Sequence, residues 1–377
     1  MTWRLNPLDD FAIHQQAAPV DQPVTSDRHF NDGYWFGFYS EGHYAFMGMR
    51  MHPNNNVLDG YAGMVVGGEQ RCLRFSRALR PRVNELEVGP LLFEVLEPLK
   101  RQRIRLAAND QGLEWEVEME AYGLWTEERT LQHRHGVVLN DVLRYTGVCQ
   151  PRGWASVDGE RRSVDEWHGA RDHSWGIRST MGPRTPLGGI LDEARDPRAI
   201  RLWIPFRCGD EFGFLHGHED ADGNFLDFDG EIRRGTETIA LAGVEHDFEY
   251  HPGSRRLKAG RYTAIDAGGG RHDYEFEVCC EGVHPQGFGY NQGWSDGGNP
   301  GVWRGADVAE SDRFDATDPT ARPAGRHLPP NRRLGATEFA ATLRGPGGTG
   351  MAMVEHMIYG TYHPAGFEGT EEEERAG

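Results

Sequence analysis

Glu114-Trp115-Glu116-Val117-Glu118-Met119-Glu120-Ala121 alternates charge and apolar bulk at every step. Successive side chains of a strand point to opposite faces, so all the carboxylates of this stretch share one face and all its apolar groups the other. A helix would scatter both sets around its circumference. The stretch is a half-buried strand. Outward from it, Tyr274, Phe276, Val278 and Cys280 alternate with Glu275, Glu277 and Cys279 in the same way. Shorter versions lie at residues 33–39, 44–51, 101–106, 339–343 and 351–356. Asp-Gly pairs at Asp59-Gly60, Asp158-Gly159, Asp222-Gly223, Asp229-Gly230 and Asp296-Gly297 supply turns between such runs.

No stretch of comparable length carries a helical apolar stripe, so the expected class is all-β and antiparallel. Strands with one wet and one apolar face build either a sandwich or a barrel. Glycines inside aromatic strands, as in Gly33-Tyr-Trp-Phe-Gly-Phe38, suit strongly bent strands and favour barrels. A Pro/Gly-rich stretch at residues 181–196 interrupts the strand period, which predicts two domains, 1–188 and 189–377. Residues 297–330 are too long and polar for a hairpin loop and read as a lid or surface excursion. The first twenty-odd residues and the glutamate-rich tail at 371–377 are expected to be loosely held.

The 377 residues include 58 acidic and 40 basic side chains, for a formal charge of −18. That sign opposes nonspecific attraction to nucleic acid or to an anionic membrane. All the basic residues are arginine except Lys100 and Lys258. Five cysteines, two of them adjacent at Cys279 and Cys280, form neither a CxxC pair nor a disulfide framework. The expectation is a reducing, cytoplasmic setting, with loose membrane association only through an oily substrate. No apolar run is long enough for a transmembrane segment, and the N-terminal stretch is not a signal segment.

The densest polar-aromatic stretch is Trp167-His-Gly-Ala-Arg-Asp-His-Ser-Trp-Gly-Ile-Arg178. If extended, it places Arg171, His173 and Trp175 on one face and Asp172, Ser174 and Gly176 on the other. Asp172 and His173 then share a cavity only if a bulge turns one of them. Three readings stand here. Asp172 and His173 form an acid–base pair beside an indole that stabilises positive charge; or the same groups orient an apolar ligand; or Arg171 or Arg178 pairs with Asp172 and Trp175 packs in the core.

Other machinery fits poorly. Ser174 lacks a nucleophile elbow, and Gly268-Gly-Gly270 lacks phosphate-loop or dinucleotide spacing. His133-x-His135 and His216-x-His218, each near acidic residues, could each offer two imidazoles to zinc or iron, although such spacings also arise by chance. No metal is assigned. Glu355 and His356 lie on opposite faces of a strand in which Met353 and Met357 flank Glu355.

Arg171-Asp-His-Ser-Trp-Gly176, with Asp158-Gly159 and Trp167-His168-Gly169 before it, resembles the signature of the carotenoid 1,2-hydratase (hydroxyneurosporene synthase) and AttH-like family. The resemblance implies two tandem lipocalin-like antiparallel β-barrels. It implies protonation of an isolated alkene and capture of the cation by water, with Asp172 as acid, His173 as proton relay and Trp175 stabilising the cation. Arg171, Arg178, Glu355 and His356 are the further ligand-binding candidates. Asp266 and Glu355 are the candidates for a second acid. The expected function is a cofactor-independent acid–base transformation of a hydrophobic small molecule, terpenoids among them, by hydration, isomerisation or a related lyase reaction. The alternative is a noncatalytic carrier of lipid or another hydrophobic ligand. Neither requires a cofactor, a metal or a nucleic-acid partner.

Overall fold

A computed structural model describes residues 5–127, 129–134, 136–184, 197–317 and 337–369. The first half contributes β1 (Phe30–Ser40), β2 (His43–His52), β3 (Val57–Val66), β4 (Glu69–Ala78), β5 (Glu87–Val88) and β6 (Leu91–Glu97). It continues with β7 (Arg101–Leu106), β8 (Leu113–Thr126), β9 (Thr130–Arg134), β10 (Val137–Val157), β11 (Glu160–Ser163) and β12 (His168–Arg178). The second half contributes β13 (Ile200–Cys208), β14 (Glu211–Glu219), β15 (Phe225–Arg234), β16 (Glu237–Tyr250), β17 (Leu257–Asp266) and β18 (Arg271–Val278). It ends with β19 (Asp307–Asp315), β20 (Glu338–Gly345) and β21 (Gly348–Ile358). Helical structure among the described residues is limited to short 3-10 turns. The all-β, lipocalin-like expectation holds.

The alternating glutamate strand is the middle of β8. Trp115, Val117 and Met119 are fully buried in the first core. On the wet face, register pairs Arg103 with Glu118 and Arg105 with Glu116, so the carboxylates face arginines of β7. Arg103 donates to Glu118 at 2.8 Å. The first sheet runs β19-β4-β3-β2-β1-β12-β10-β8-β7-β6-β5, with β9 and β11 pairing to β10. It curls without closing its hydrogen-bond ladder. The two flanks meet through side chains at Gly60 of β3, where an added Cβ would come within 2.4 Å of Val88 and 2.8 Å of Leu91. Phe38, Trp115 and Trp167 pack inside the curl.

The second unit is a closed barrel in the order β13-β14-β15-β16-β17-β18-β20-β21. Phe206, Tyr262, Tyr274 and Phe276 fill its interior. A third core joins the two units, built from Trp35, Tyr39, Tyr44 and Phe46 on one side and Trp203, Phe214, Met351 and Met353 on the other. We call this junction the seam. Trp35 and Trp203 meet there edge to face at 5.6 Å.

Several expectations change. The region expected to be an irregular excursion contains β19, which crosses back and pairs with β4 of the first sheet. Its polar outward residues hid the strand period. The boundary expected at 188/189, the rest of that excursion from residue 318 to 330 and the 371–377 tail lie outside the described residues. Within the N-terminal stretch Asn6 is buried and its carboxamide oxygen accepts from Asn84 at 3.1 Å, while Leu5, Phe11 and Val24 are exposed. Among the described residues no helix is long and apolar enough to cross a membrane.

Strand β19 is anchored by Arg74 of β4, fully buried, in an ion pair with Asp312. Removing Asp312 leaves the buried guanidinium with the more distant Glu310, 3.6 Å away, in place of its short ion pair. Asp312→Ala is expected to cost about 3–5 kcal/mol in denaturant unfolding, while Arg74→Met combined with Asp312→Leu recovers most of that loss. A loss under about 1 kcal/mol for the single variant would show that the pair does not hold β19.

Candidate acid–base site at the seam

Strand β12 is hydrogen-bonded on both edges. Its register sets Ser174 opposite Gly33, His173 opposite Tyr34 and Asp172 opposite Trp35 on β1. On the other edge Arg144, Tyr145 and Thr146 oppose Ser174, His173 and Asp172. No bulge interrupts either ladder along this stretch, so adjacent side chains face different spaces. The structure therefore separates Asp172 from His173, and they do not form a pair.

Arg171, His173 and Trp175 face the first core. There Arg171 donates to the Tyr145 hydroxyl at 2.7 Å. His173 Nδ1 lies 3.2 Å from the same hydroxyl, and its Nε2 lies 2.7 Å from Asp32 Oδ1. Arginine only donates, so the Tyr145 hydroxyl accepts from Arg171, while its contact with Nδ1 can run in either direction. Tyr34 stacks on the imidazole at 4.2 Å and Trp175 lies 5.2 Å from it. Trp175 is thus part of an aromatic-polar array on the face away from Asp172.

Asp172 faces the seam. Its Oδ2 lies 3.2 Å from Arg144 Nε, in an alignment that makes no hydrogen bond, and Oδ1 is buried without a partner. Arg144 also lies 3.5 Å from Glu127. Glu127 accepts from Thr146 and, at 3.1 Å, from the Trp203 indole of the second barrel. His216 Nδ1 is 3.3 Å from Glu127, while its Nε2 is buried without a partner. Burial first, then the Arg201 charge, holds His216 well below the usual imidazole range, so it is neutral near pH 7. The buried Trp35 indole N–H also lacks a partner. The seam thus holds several buried polar atoms without a hydrogen-bond partner, as do other parts of the molecule.

The second barrel brings two more carboxyls. Glu338 and Glu355 are register neighbours on β20 and β21. Glu355 is ion-paired with Arg201, whereas Glu338 accepts from the Tyr44 hydroxyl of the first sheet at 2.9 Å. Burial, followed by the adjacent Glu355 charge, raises Glu338 well above the carboxylate range. Its carboxyl thus favours the protonated form more than an ordinary glutamate does, with Glu355 and Asp172 the acidic side chains whose charges act on it.

Of the residues expected from sequence, Asp172, Arg178 and Glu355 come to the seam. His356 instead lies in the second barrel, 2 % exposed, with Nε2 2.9 Å from the Tyr250 hydroxyl. Burial and then His246 push it down to about 3. Asp266 sits in a surface turn, accepting from the Gly268 and Gly270 amides, and joins no site. His216 and His218 diverge in function: His218 pairs with Asp227 at 2.8 Å. His135 lies outside the described residues. Among the described residues no group of three or more His, Cys, Asp or Glu side chains is placed to hold a metal. Glu338, Glu127, Arg144 and Tyr44 were missed; the only local signal for Glu338 was an acid opening the apolar strand Phe339-Ala-Ala-Thr-Leu343. A surface cleft of about 370 Å³ beside Thr25, Asn54 and Arg80 offers no such acid–base set.

The raised Glu338 has a consequence for stability. Between the ordinary glutamate value of 4.5 and its folded value, the native state binds a proton that the unfolded chain has released. Stability from this group is thus fully present below 4.5 and declines as pH rises through the folded value. Glu338→Gln is expected to flatten that decline in urea midpoints measured from pH 4 to pH 8. Identical slopes in the two proteins would contradict a protonated Glu338.

Comparison with known proteins follows the same architecture. The chain is similar to a protein of Nitrosomonas europaea provisionally named AttH, with a TM-score of 0.53 and 10 % identity, covering 92 % of this chain and 98 % of that one. It is also similar to kievitone hydratase from Nectria haematococca, with a TM-score of 0.41 and 12 % identity, covering 87 % and 89 %. The likeness to AttH is one of fold. None of the curated proteins matches this sequence. The model of one family matches residues 5–368, and the chain belongs to that family, the family of unknown function DUF8625.

Proposed function

We propose that the seam carries out a cofactor-independent acid–base transformation of a hydrophobic small molecule, a hydration, isomerisation or related lyase reaction. The supporting observation is Glu338: a buried carboxyl held well above the usual carboxylate range by burial and by the Glu355 charge, while Asp172 lies beside an arginine. Protonating an isolated alkene needs an acid that is still protonated at working pH and surroundings that do not quench the cation.

In this reading the Glu338 proton moves to one alkene carbon, leaving the glutamate charged and the other carbon cationic. The faces of Trp35 and Trp203 stabilise that charge. Water adds its oxygen to the cation, and its released proton passes to Asp172 and returns to Glu338. Without water, loss of a neighbouring C–H proton to Asp172 completes an isomerisation. Arg178 and the Arg201–Glu355 pair orient the ligand. His173, Arg171 and Trp175 position β12 from its other face rather than touching the reacting atoms. Residues 1–188 and 189–377 supply the two walls as domains, with β19 of the second segment crossing back to complete the first sheet. The five cysteines are free thiols, as a cytoplasmic setting requires. Terpenoids, including the carotenoids of the resembling family, are the substrate class to try first.

Incubation with a panel of isolated alkenes in D2O and H2-18O tests this by mass spectrometry of the recovered compounds. The protein is expected to place deuterium on carbon for one member of the panel. Glu338→Gln and Asp172→Asn should each lower that rate by roughly 10²–10⁴-fold without loss of ligand binding. Equal rates in the folded Glu338→Gln variant would overturn the assignment. Unaltered ligand recovered with no isotope uptake would instead identify a noncatalytic binding protein.

The opposite faces of β12 separate the two acid–base assignments. His173→Gln is expected to keep the rate within the same order of magnitude, since its side chain never reaches the seam. A loss matching that of Asp172→Asn, in a variant of unchanged thermal stability, would place His173 in the chemistry after all.

A further inference from the structure

Two guanidiniums at the seam converge on one hydroxyl with no carboxylate between them. Arg50, on β2, is 5 % exposed, and its hydrogen bonds go to neutral acceptors alone. They are Asn31 Oδ1 at 2.5 Å, the Ser174 carbonyl at 3.3 Å and Ser174 Oγ at 3.2 Å. Arg178, at the end of β12, reaches the same Oγ at 3.5 Å. Among the described residues neither arginine is ion-paired. Nearby Arg144 is already committed to Asp172 and Glu127.

The backbone is arranged to make this convergence. Gly33 stands between Arg50 on β2 and Ser174 on β12, paired in register with both. A Cβ at Gly33 would lie 2.8 Å from both Cβ and Cγ of Arg50. The bare glycine lets the arginine stem lie across β1 and bring its head to Ser174.

A buried charge with no counter-charge is costly, and neutral dipoles only partly compensate it. On the seam face of β12 three guanidiniums, those of Arg50, Arg144 and Arg178, face two carboxylates, those of Asp172 and Glu127, which leaves one positive charge over on that face; Asp32, on the other face, also acts on Arg50. Burial first, then Arg50 and Arg144, push Arg178 down to about 9, in keeping with that crowding. Tyr290 and Tyr61 meet edge to face at 6.1 Å, and their phenols lie close enough to act on the Arg50 charge.

We infer that Arg50, Arg178 and Ser174 form a subsite for a carboxylate, the single negative charge on an otherwise oily ligand. Guanidiniums hold a carboxylate through paired N–H donors, and the Ser174 hydroxyl can rotate to donate a further hydrogen bond. One unbalanced charge suits a monoanion better than a phosphate dianion. This inference rests on the seam as the ligand site and narrows its ligands to oily acids.

Calorimetric titration of the full chain with decanoate, decanol and decyl phosphate tests it. Decanoate should bind at least about tenfold more tightly than decanol, the span of one charge-assisted hydrogen bond. Ser174→Ala should remove most of that preference and leave decanol affinity unchanged, and Arg178→Met should weaken decanoate at least about tenfold more than it weakens decanol. Arg50→Lys, which keeps the charge but loses the paired N–H donors, should reduce that preference if Arg50→Met fails to fold. Decanol binding as tightly as decanoate, a variant that weakens both alike, or a preference for decyl phosphate would overturn the carboxylate subsite alone. Failure of all three probes to bind the wild-type chain would overturn the seam as a ligand site together with it.

Discussion

The unbroken pairing of β12 with β1 and β10 governs everything around the seam. A strand held on both edges has no freedom to rotate a side chain to its other face. Residues next to each other in Arg171-Asp-His-Ser-Trp175 therefore serve different spaces. His173 joins Tyr145 and Asp32 beside the first core, while Asp172 and Ser174 look toward the second barrel. One short motif thus builds both a bracing array and part of a candidate site.

The seam is an expensive place to keep charge. Its walls include Trp35, Tyr44, Phe46, Trp203 and Phe214, apolar groups that could have closed the junction by themselves. A well-packed apolar junction is often as stable as one containing buried ion pairs, or more so. Yet Asp172, Glu127, Glu338 and Glu355 converge there with four arginines. Burial pushes Glu338 toward its protonated form, and Glu355 pairs with Arg201. Asp172 and His216 leave polar atoms unsatisfied. The aromatic walls and the polar floor together fit a ligand with an oily body and a polar end.

The legibility of the chain was uneven for physical reasons. The alternation at residues 114–121 was readable because one face of β8 lies on Trp115, Val117 and Met119 and the other lies in water. Strand β19 was not readable, because only Asp312 and Phe314 among its residues are buried and its partner β4 is remote in sequence. Of the candidate site, Asp172, Arg178 and Glu355 could be singled out from local context. Glu338 and Arg50 could not: each is one acid or arginine among many, and its significance comes from neighbours hundreds of residues or two strands away.

What the sequence determined by itself was the two-residue period, the antiparallel β class and the facing of each side chain within its own strand. These depend only on backbone geometry and nearest neighbours. Tertiary structure decided which face met which partner, that the first sheet curls without closing while the second does, and that Glu338 is held above the usual carboxylate range. Those outcomes depend on distances and desolvation between strands far apart along the chain, and such quantities exist only once the two halves have packed together.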